Sequence, residues 1–157
     1  DVALLLKTLE SRLEAGELKA ARTAWPTQDA DTLIQRLAGN GVPLAVVTNN
    51  SPLAAEAYLE ERGLLQHFVT VQGRTSDPGR MKPDPDVLLR ALSVLRLVPE
   101  DTVMIGDTST DVEAAEEAGV PFVGYGRNRE KRARLRDAGA NVVLDSYAPL
   151  FHQPTPP

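Results

Sequence analysis

The sequence predicts an α/β fold, in which a Rossmann-like parallel sheet carries helices on both of its faces. Short apolar runs typical of buried strands alternate along the chain with longer segments whose apolar residues recur at helical spacing. Gly or Pro stands at most of the boundaries, and Ser, Asp or Asn stands where several helices would begin. Strands that alternate with helices in this way form parallel sheets with right-handed crossovers.

Two helical segments precede the first predicted strand. Apolar residues recur at helical spacing over residues 2–24, where we expect Gly16 to divide the segment into two helices. A Trp-Pro pair then breaks the pattern, and Asp29 or Asp31 can cap a further helix that runs to about residue 38. No polar cluster in residues 2–24 converges on a site, so we interpret this segment as amphipathic packing surface.

Five apolar runs are the predicted strands, and four further helices connect or follow them. The strands are predicted at residues 43–48, 68–72, 102–106, 120–124 and 141–144. The helices are predicted at residues 52–62, 85–95, 110–118 and 128–138. Ser51-Pro52 and Asp84-Pro85 each supply a cap followed by a first-turn proline, and Gly119 is expected to end the helix before it.

Composition limits the classes of function. The chain has 157 residues, of which 42% are hydrophobic, and this is enough for one domain with its own core. With 17 basic and 22 acidic residues the net charge is -5, so nucleic acid is not a predicted partner. Residues 127–136 concentrate basic charge, most simply as a solvated helix face and alternatively as a contact for an anionic substrate or partner.

The sequence lacks both cysteine and long apolar runs, which limits the expected cellular location and the expected partners. The sequence has no cysteine, which excludes disulfides, thiolate metal sites and cysteine nucleophiles and is compatible with a cytoplasmic protein. No apolar run is long enough for a signal sequence or a membrane span, so a membrane is not a predicted partner either. Nothing in the sequence specifies an oligomeric state.

Polar side chains follow three of the predicted strands. Thr48 ends the first strand, Lys82 lies in a proline-flanked turn after the second, and Asp107 and Asp111 follow the third. Because the carboxyl ends of parallel strands meet at one edge of a sheet, we expect these four side chains to gather there. Two carboxylates suit a hard cation, most simply Mg²⁺, and a hydroxyl and a lysine beside it suit a phosphate group.

These residues resemble the haloacid dehalogenase superfamily of phosphohydrolases, in its phosphoglycolate-phosphatase-like branch. The resemblance covers residues 27–145 and is carried by three motifs: Val46-Val-Thr48-Asn-Asn, Met81-Lys82-Pro-Asp-Pro85 and Ile105-Gly-Asp107-Thr-Ser-Thr-Asp111. It implies a hydrolase of a small phosphorylated metabolite. Thr48, Asn49 and Lys82 would then bind the phosphoryl group, with Thr48 and Lys82 acting in catalysis, and Asp107 and Asp111 would bind Mg²⁺ directly or through water.

The family's first motif is missing from this sequence. In the family an apolar strand ends in Asp-x-Asp-Gly-Thr, and its first Asp is the nucleophile that forms an aspartyl-phosphate. Asp29-Ala-Asp31-Thr32 has the spacing but lacks both the strand and the Gly. We therefore expect residues 1–157 to be inactive alone and to be the carboxyl-terminal part of a longer phosphatase. The missing strand would lie at the sheet centre, between the strands that carry Thr48 and Asp107.

The resemblance also implies a domain organisation and leaves alternatives. Residues 1–25 would be the last helices of a helical cap, residues 26–150 the α/β core without its first strand, and residues 151–157 a disordered tail. The alternatives are a non-catalytic module that keeps the phosphate and metal pocket, and a phosphosugar mutase or a dehalogenase of the same family. Dehalogenases need no Mg²⁺, so the paired acids favour phosphoryl chemistry. A receiver domain is disfavoured because its acids precede its Thr.

Overall fold

The structure is a computed structural model that describes residues 1–151. Within this range the elements follow one another as α1 (Val2–Ala21), α2 (Ala30–Gly39), β1 (Ala45–Val47), α3 (Pro52–Glu61), β2 (Thr70–Gln72), α4 (Asp86–Leu95), β3 (Met104–Gly106), α5 (Ser109–Ala118), β4 (Phe122–Tyr125), α6 (Arg129–Asp137) and β5 (Val142–Leu144). The predicted tail falls outside the described residues except for Phe151, which ends a short 3-10 helix.

The predicted α/β fold is confirmed, with parallel strands flanked by helices. Strand β1 pairs in parallel with β2, with Ala45 opposite Thr70. Strand β4 pairs in parallel with both β3 and β5, with Met104 opposite Phe122. Within residues 1–151 the strands therefore form two sheets, ordered β1-β2 and β3-β4-β5. Strands β1 and β3 each have one strand neighbour among the described residues.

The predicted division of the first helical segment at Gly16 is wrong, because α1 is continuous from Val2 to Ala21. A single glycine in a helix costs only about 1 kcal/mol relative to alanine, which is too little to break a helix by itself. Contacts on both sides of the glycine also hold the two halves in one register, since Glu14 and Glu17 both accept hydrogen bonds from Ser51.

The larger part of the core lies between α4, β3 and α5. It contains four large side chains, Val87, Leu88, Leu92 and Met104, packed against Ala114, Ala115, Ala118 and Val120. The three alanines let α5 approach closely, and Val47 on β1 packs against the same cluster. A smaller cluster of Val112, Leu135 and Ala140 seats α6 on the second sheet. The core therefore fixes α5, and with it the loop that carries the predicted aspartates.

Helix ends follow the local signals in the sequence only in part. Ser51 stands at an N-cap position but makes no side-chain cap hydrogen bond, and Pro85 is the N-cap of α4 and not a residue of its first turn. Pro52 opens α3, the Asn128 side chain accepts from the Lys131 N–H at the start of α6, and Gly119 ends α5 at a φ of 71°. Within residues 1–151, no helix has both the length and the apolar content needed to cross a bilayer. The helix starts that matter most for the site are those of α3 and α5, because both face the carboxyl ends of strands.

Candidate functional site

The structure brings Lys82 and Asp111 into a buried ion pair at the carboxyl ends of β1 and β3. The Lys82 Nζ lies 2.5 Å from Asp111 Oδ1, and the two side chains are 11% and 7% exposed. The same ammonium group lies 3.4 Å from the backbone oxygen of Val47, the last residue of β1. Lys82 thus connects the end of the first sheet to the start of α5 beside the second.

Asn49 fixes the backbone of Lys82. Its Nδ2 donates to the Lys82 carbonyl at 3.1 Å, and its Oδ1 accepts from the Lys82 N–H at 2.8 Å. Thr48 precedes it, and the Thr48 hydroxyl accepts from the Asn50 N–H at 3.1 Å. No hydrogen bond among the described residues joins Thr48 to Lys82 or to either aspartate. Asn49 therefore positions the lysine, while the Thr48 side chain makes a local turn contact.

Asp111 organises the loop between β3 and α5. Its Oδ2 accepts hydrogen bonds from the Asp107 N–H, the Thr108 N–H and the Thr108 hydroxyl at 3.1, 3.1 and 2.8 Å. The Thr108 hydroxyl in turn accepts from the Asp111 N–H, which completes a capping box at the start of α5. Gly106 makes the arrangement possible, because a Cβ there would lie 2.7 Å from the Asp111 Cβ.

Asp107 is the more accessible of the two aspartates. Its side chain is 49% exposed, and its Oδ2 lies 2.5 Å from the Nζ of Lys131 on α6. The sequence pattern indicates only that Lys131 lies on a basic helix face, and it does not predict this contact. The available signal was its place in the first turn after β4, at the same edge of the sheet.

The two aspartates fit a metal site unequally. The Asp107 carboxylate can release the partly exposed Lys131 ammonium group and bind a metal ion in its place. Both oxygens of Asp111 already accept hydrogen bonds, so Asp111 fits a ligand that contacts the metal ion through water. In the part of the chain that the structure describes, no three His, Asp or Glu side chains are grouped closely enough to hold an ion. Mg²⁺ prefers six oxygen ligands, and two carboxylates supply fewer than that number.

Arg74 ties α1 to this edge of the protein and was not predicted. Its side chain is 5% exposed and lies 2.7 Å from carboxylate oxygens of both Glu10 and Glu17. It also donates to the Asn49 carbonyl at 3.0 Å. Hydrogen bonding to Glu17 raises the pKa of Arg74, although burial opposes the rise. The guanidinium thus connects α1 to the residue that positions Lys82.

The side chain of Glu17, on α1, lies beside the amino-terminal end of α3. Its Oε2 accepts from the Ser51 N–H at 2.8 Å, where the helix dipole favours an anion. Burial acts to raise the pKa of Glu17, but hydrogen bonds from Arg74 and Ser51 outweigh it, so the pKa lies below its ordinary value. Nothing in the local sequence pairs residues so far apart in the chain.

A cavity of about 370 Å³ opens beside Asp107. Lys131, Arg127, Tyr125 and Tyr147 are among the residues that line it. The two tyrosine rings stack with their centroids 4.7 Å apart. Burial, helped by the nearby Tyr125 and Asp107, raises the pKa of the Tyr147 hydroxyl. The candidate site therefore has a buried part around Lys82 and an open part around Lys131.

Comparison with known proteins identifies the family. A family model described as a haloacid dehalogenase-like hydrolase matches residues 4–119. The chain belongs to the haloacid dehalogenase-like hydrolases. The phosphoglycolate phosphatase of Rhodospirillum rubrum is 40% identical over 120 residues, which are 75% of this chain and 48% of that protein. The predicted resemblance to the phosphoglycolate-phosphatase-like branch of the superfamily is thereby confirmed.

Solved structures of haloacid dehalogenase-like proteins share the fold. A predicted phosphatase from Clostridium acetobutylicum superposes with a TM-score of 0.71 at 27% identity, covering 78% of this chain and 56% of that one. CbbY from Rhodobacter sphaeroides, in complex with phosphate, gives a TM-score of 0.69 at 26% identity and covers 85% of this chain and 60% of that one.

This haloacid dehalogenase-like chain spans about half the length of the curated relative it matches. The family match contains Thr48, Lys82, Asp107 and Asp111. Lys131 and the other residues of the open cavity on β4 and α6 lie beyond residue 119, outside the matched range.

Proposed function

We propose that this chain supplies the phosphate-binding and metal-binding part of a Mg²⁺-dependent phosphatase, which acts on a small phosphorylated metabolite through an aspartyl-phosphate. The observation that carries the proposal is the buried Lys82–Asp111 ion pair at the carboxyl ends of the strands. The backbone N–H of Asp107 donates a hydrogen bond to the Asp111 carboxylate of this pair. A lysine ordered this firmly has little conformational entropy left to lose when it meets a phosphoryl group. The family relatives, which include phosphoglycolate phosphatases, support the same reaction class.

Each role follows from the contacts of the residue, except that of Thr48, which follows from its position just after β1. Asp107 would hold the metal ion directly and Asp111 would hold it through water. A metal ion bound there would polarise the phosphoryl oxygens and neutralise their charge. The Lys82 ammonium group would offset the rest of that charge, and Thr48 would orient the phosphoryl group through its hydroxyl. Asn49 keeps the lysine in place and would contribute to substrate binding.

The attacking carboxylate is proposed to lie outside residues 1–157. A carboxylate nucleophile divides phosphoryl transfer into two displacements, and no segment of this sequence ends an apolar strand with Asp-x-Asp. A strand inserted between β1 and β3 would bring such a residue next to Lys82 and Asp107. The division into two sheets among the described residues supports this location.

We also propose a division of the chain into two domains, based on the exposure and the contacts of α1. Residues 1–25 would belong to the helical cap, because α1 has no buried residue and is attached through carboxylates to Arg74 and Ser51. Residues 26–150 would form the α/β core.

Hydrolysis and phosphate binding by residues 1–157 test the proposal together. With Mg²⁺ and p-nitrophenyl phosphate we expect no hydrolysis that depends on Asp107. Inorganic phosphate should still bind weakly, and Lys82→Met should weaken that binding by about tenfold to a hundredfold, since one charge-assisted hydrogen bond contributes about 1.5–3 kcal/mol. Lys19→Met on the exposed face of α1 is the matched control. Circular dichroism verifies that each variant is folded.

Two results would overturn this proposal. Hydrolysis that Asp107→Asn abolishes would mean that the nucleophile is present after all. Phosphate binding that is indifferent to Lys82 would mean that the site is not built for a phosphoryl group.

A non-catalytic module that binds phosphate and metal is the second candidate. Two ion pairs favour this module, Lys82 with Asp111 and Lys131 with Asp107. Because each aspartate is paired with a lysine, the carboxylate charge is neutralised without an added ion. The two candidates separate when a strand ending in Asp-x-Asp-Gly-Thr is fused ahead of Asp1. Restored Mg²⁺-dependent hydrolysis supports the phosphatase, and phosphate binding without hydrolysis supports the module.

A further inference from the structure

Arg74 uses all five donors of its guanidinium group. Its Nε and Nη2 donate to Glu10 Oε1 at 3.0 and 2.7 Å, and its Nη1 and Nη2 donate to the Glu17 carboxylate at 2.7 and 3.2 Å. Its Nη1 also donates to the Asn49 carbonyl at 3.0 Å. Four of these hydrogen bonds therefore go to α1 and the fifth goes to the loop after β1. The two carboxylates of α1 set the orientation in which the guanidinium meets Asn49.

The loop after β1 also contacts the loop after β2 through the backbone. The N–H of Arg74 donates to the Asn50 carbonyl at 2.9 Å. A Cβ at Gly73 would lie 2.6 Å from the same carbonyl oxygen, so a side chain there would force the two loops apart. Arg74 thus contacts two consecutive carbonyls of the first loop. The backbone contact does not involve α1, whereas the side-chain contact depends on the carboxylates that orient the guanidinium.

Asn49 connects the guanidinium to Lys82. Its side chain contacts both the N–H and the carbonyl of Lys82, at 2.8 and 3.1 Å. The Lys82 side chain is 11% exposed, so the position of its ammonium group follows the position of its backbone. Groups that meet a reacting phosphoryl group must be placed to within about 1 Å. A change in the orientation of Arg74 is therefore expected to alter how Lys82 meets its ligand.

We infer that Arg74 is a positioning residue for Lys82, and that the affinity for a phosphoryl group depends on the contacts between Arg74 and α1. The inference rests on the proposed function, because Lys82 must bind the phosphoryl group. Arg74 acts through Asn49, since its side chain is 5% exposed and its five donors are already used. Two carboxylates balance its charge, so direct attraction of phosphate to the guanidinium does not account for such an effect.

Calorimetric titration of the chain with inorganic phosphate, at constant Mg²⁺ and ionic strength, tests the inference. Arg74→Met should weaken phosphate binding about threefold to tenfold, which is within the range for residues that act without contacting the ligand. Arg74→Lys should weaken it as much, because a single ammonium group cannot replace a planar guanidinium that contacts two carboxylates and a carbonyl. Arg80→Met is the matched control, since Arg80 is 57% exposed and pairs with Asp86, and it should leave the affinity unchanged.

Glu17→Gln is a second variant for the case in which Arg74→Met does not fold. It removes one of the two carboxylates that orient the guanidinium but keeps an oxygen that can accept from the Ser51 N–H. It should weaken phosphate binding in the same direction as Arg74→Met. Circular dichroism verifies that each variant is folded at the temperature of the titration.

Two readouts separate positioning from a merely structural role. In the Lys82→Met background, Arg74→Met should have little further effect on phosphate affinity, because two residues that act through one contact are not additive. Coupling between two sites is reciprocal, so phosphate should also slow amide exchange in α1 by a similar factor. Lys82→Met should abolish this slowing. A loss of stability alone would produce neither result.

The remaining outcomes contradict the inference. Phosphate binding that depends on Lys82 but is equal in the wild type, Arg74→Met and Glu17→Gln would overturn it and leave the proposed function standing. Full affinity in Arg74→Lys, or an equal loss in Arg80→Met, would mean that charge and not geometry is responsible. An undiminished effect of Arg74→Met in the Lys82→Met background would mean that Arg74 acts elsewhere. If the wild type does not bind phosphate, both the inference and the proposed function fail.

Discussion

Replacing Arg74 with methionine tests how α1 is attached to the protein. Methionine keeps an apolar stem but removes the charge and all five donors of the guanidinium. Glu17, whose side chain is 14% exposed, is then left with the Ser51 N–H alone. Glu10 loses a partner too, but its side chain is 49% exposed and can return to water.

The structure sets the expected magnitude. Breaking a buried ion pair costs about 3–5 kcal/mol, whereas an exposed pair contributes at most about 1 kcal/mol. Glu17 lies between these limits, so we expect Arg74→Met to lower the free energy of unfolding by about 2–4 kcal/mol. For a chain of this size that corresponds to a fall in Tm of about 4–16 °C. Helix α1 should also lose amide protection, because it has no buried residue and most helical stability in proteins comes from tertiary packing.

Urea denaturation gives the free energy, and hydrogen exchange reports on α1. The pH dependence adds an independent readout, because the pKa of Glu17 is lowered in the folded state from its ordinary value near 4.5. Its contribution to stability is complete above that value and is lost as the pH falls through the lower folded-state pKa. Arg74→Met should reduce this loss at acidic pH.

Arg80→Met is the matched control, since Arg80 is 57% exposed and should cost less than about 1 kcal/mol. Equal stability of Arg74→Met and the wild type, with unchanged protection of α1, would refute the reasoning.

Two further substitutions test the loop between β3 and α5. Gly106→Ala should destabilise the protein by about 1–3 kcal/mol in urea denaturation, because the new Cβ would lie 2.7 Å from the Asp111 Cβ. Gly16→Ala is its control and should be stabilising, since nothing lies within 4 Å of a Cβ there, so equal effects of the two would contradict the prediction. Asp111→Asn should lower the free energy of unfolding by about 3–5 kcal/mol, because it leaves Lys82 buried without its counter-ion. The exposed Asp137→Asn is the control. If Asp111→Asn lowers stability no more than this control, the Lys82–Asp111 pair does not stabilise the fold.

The sequence was informative where structure is encoded locally. Strand and helix positions follow from apolar periodicity, and Pro52 and Gly119 mark boundaries through the backbone angles they favour. The gathering of Lys82 and Asp111 was predictable because parallel strands deliver their ends to one edge. The effect of Gly16 is not predictable locally, because the contacts that bridge it come from Ser51, which lies at the N-cap of α3 and is distant in the chain.

The remaining features depend on pairs of residues that are distant in the chain. Arg74 and Glu17 are separated by 57 residues, and Lys131 and Asp107 by 24, so neither contact leaves a spacing pattern. The sequence identified Lys131 only as part of a basic helix. Its contact with Asp107 arises because the fold brings the first turn of α6 to the end of β3.

The division into two sheets also bears on the order in which the chain folds. Each sheet is made of strands that follow one another in sequence and are connected by single helices, so its contacts close short loops at little entropic cost. Helix α4 lies between them in the chain and contacts β1, β2 and α5. We therefore expect the local contacts within each sheet to form before both sheets pack on α4, a step that buries the shared core and assembles the Lys82–Asp111 pair.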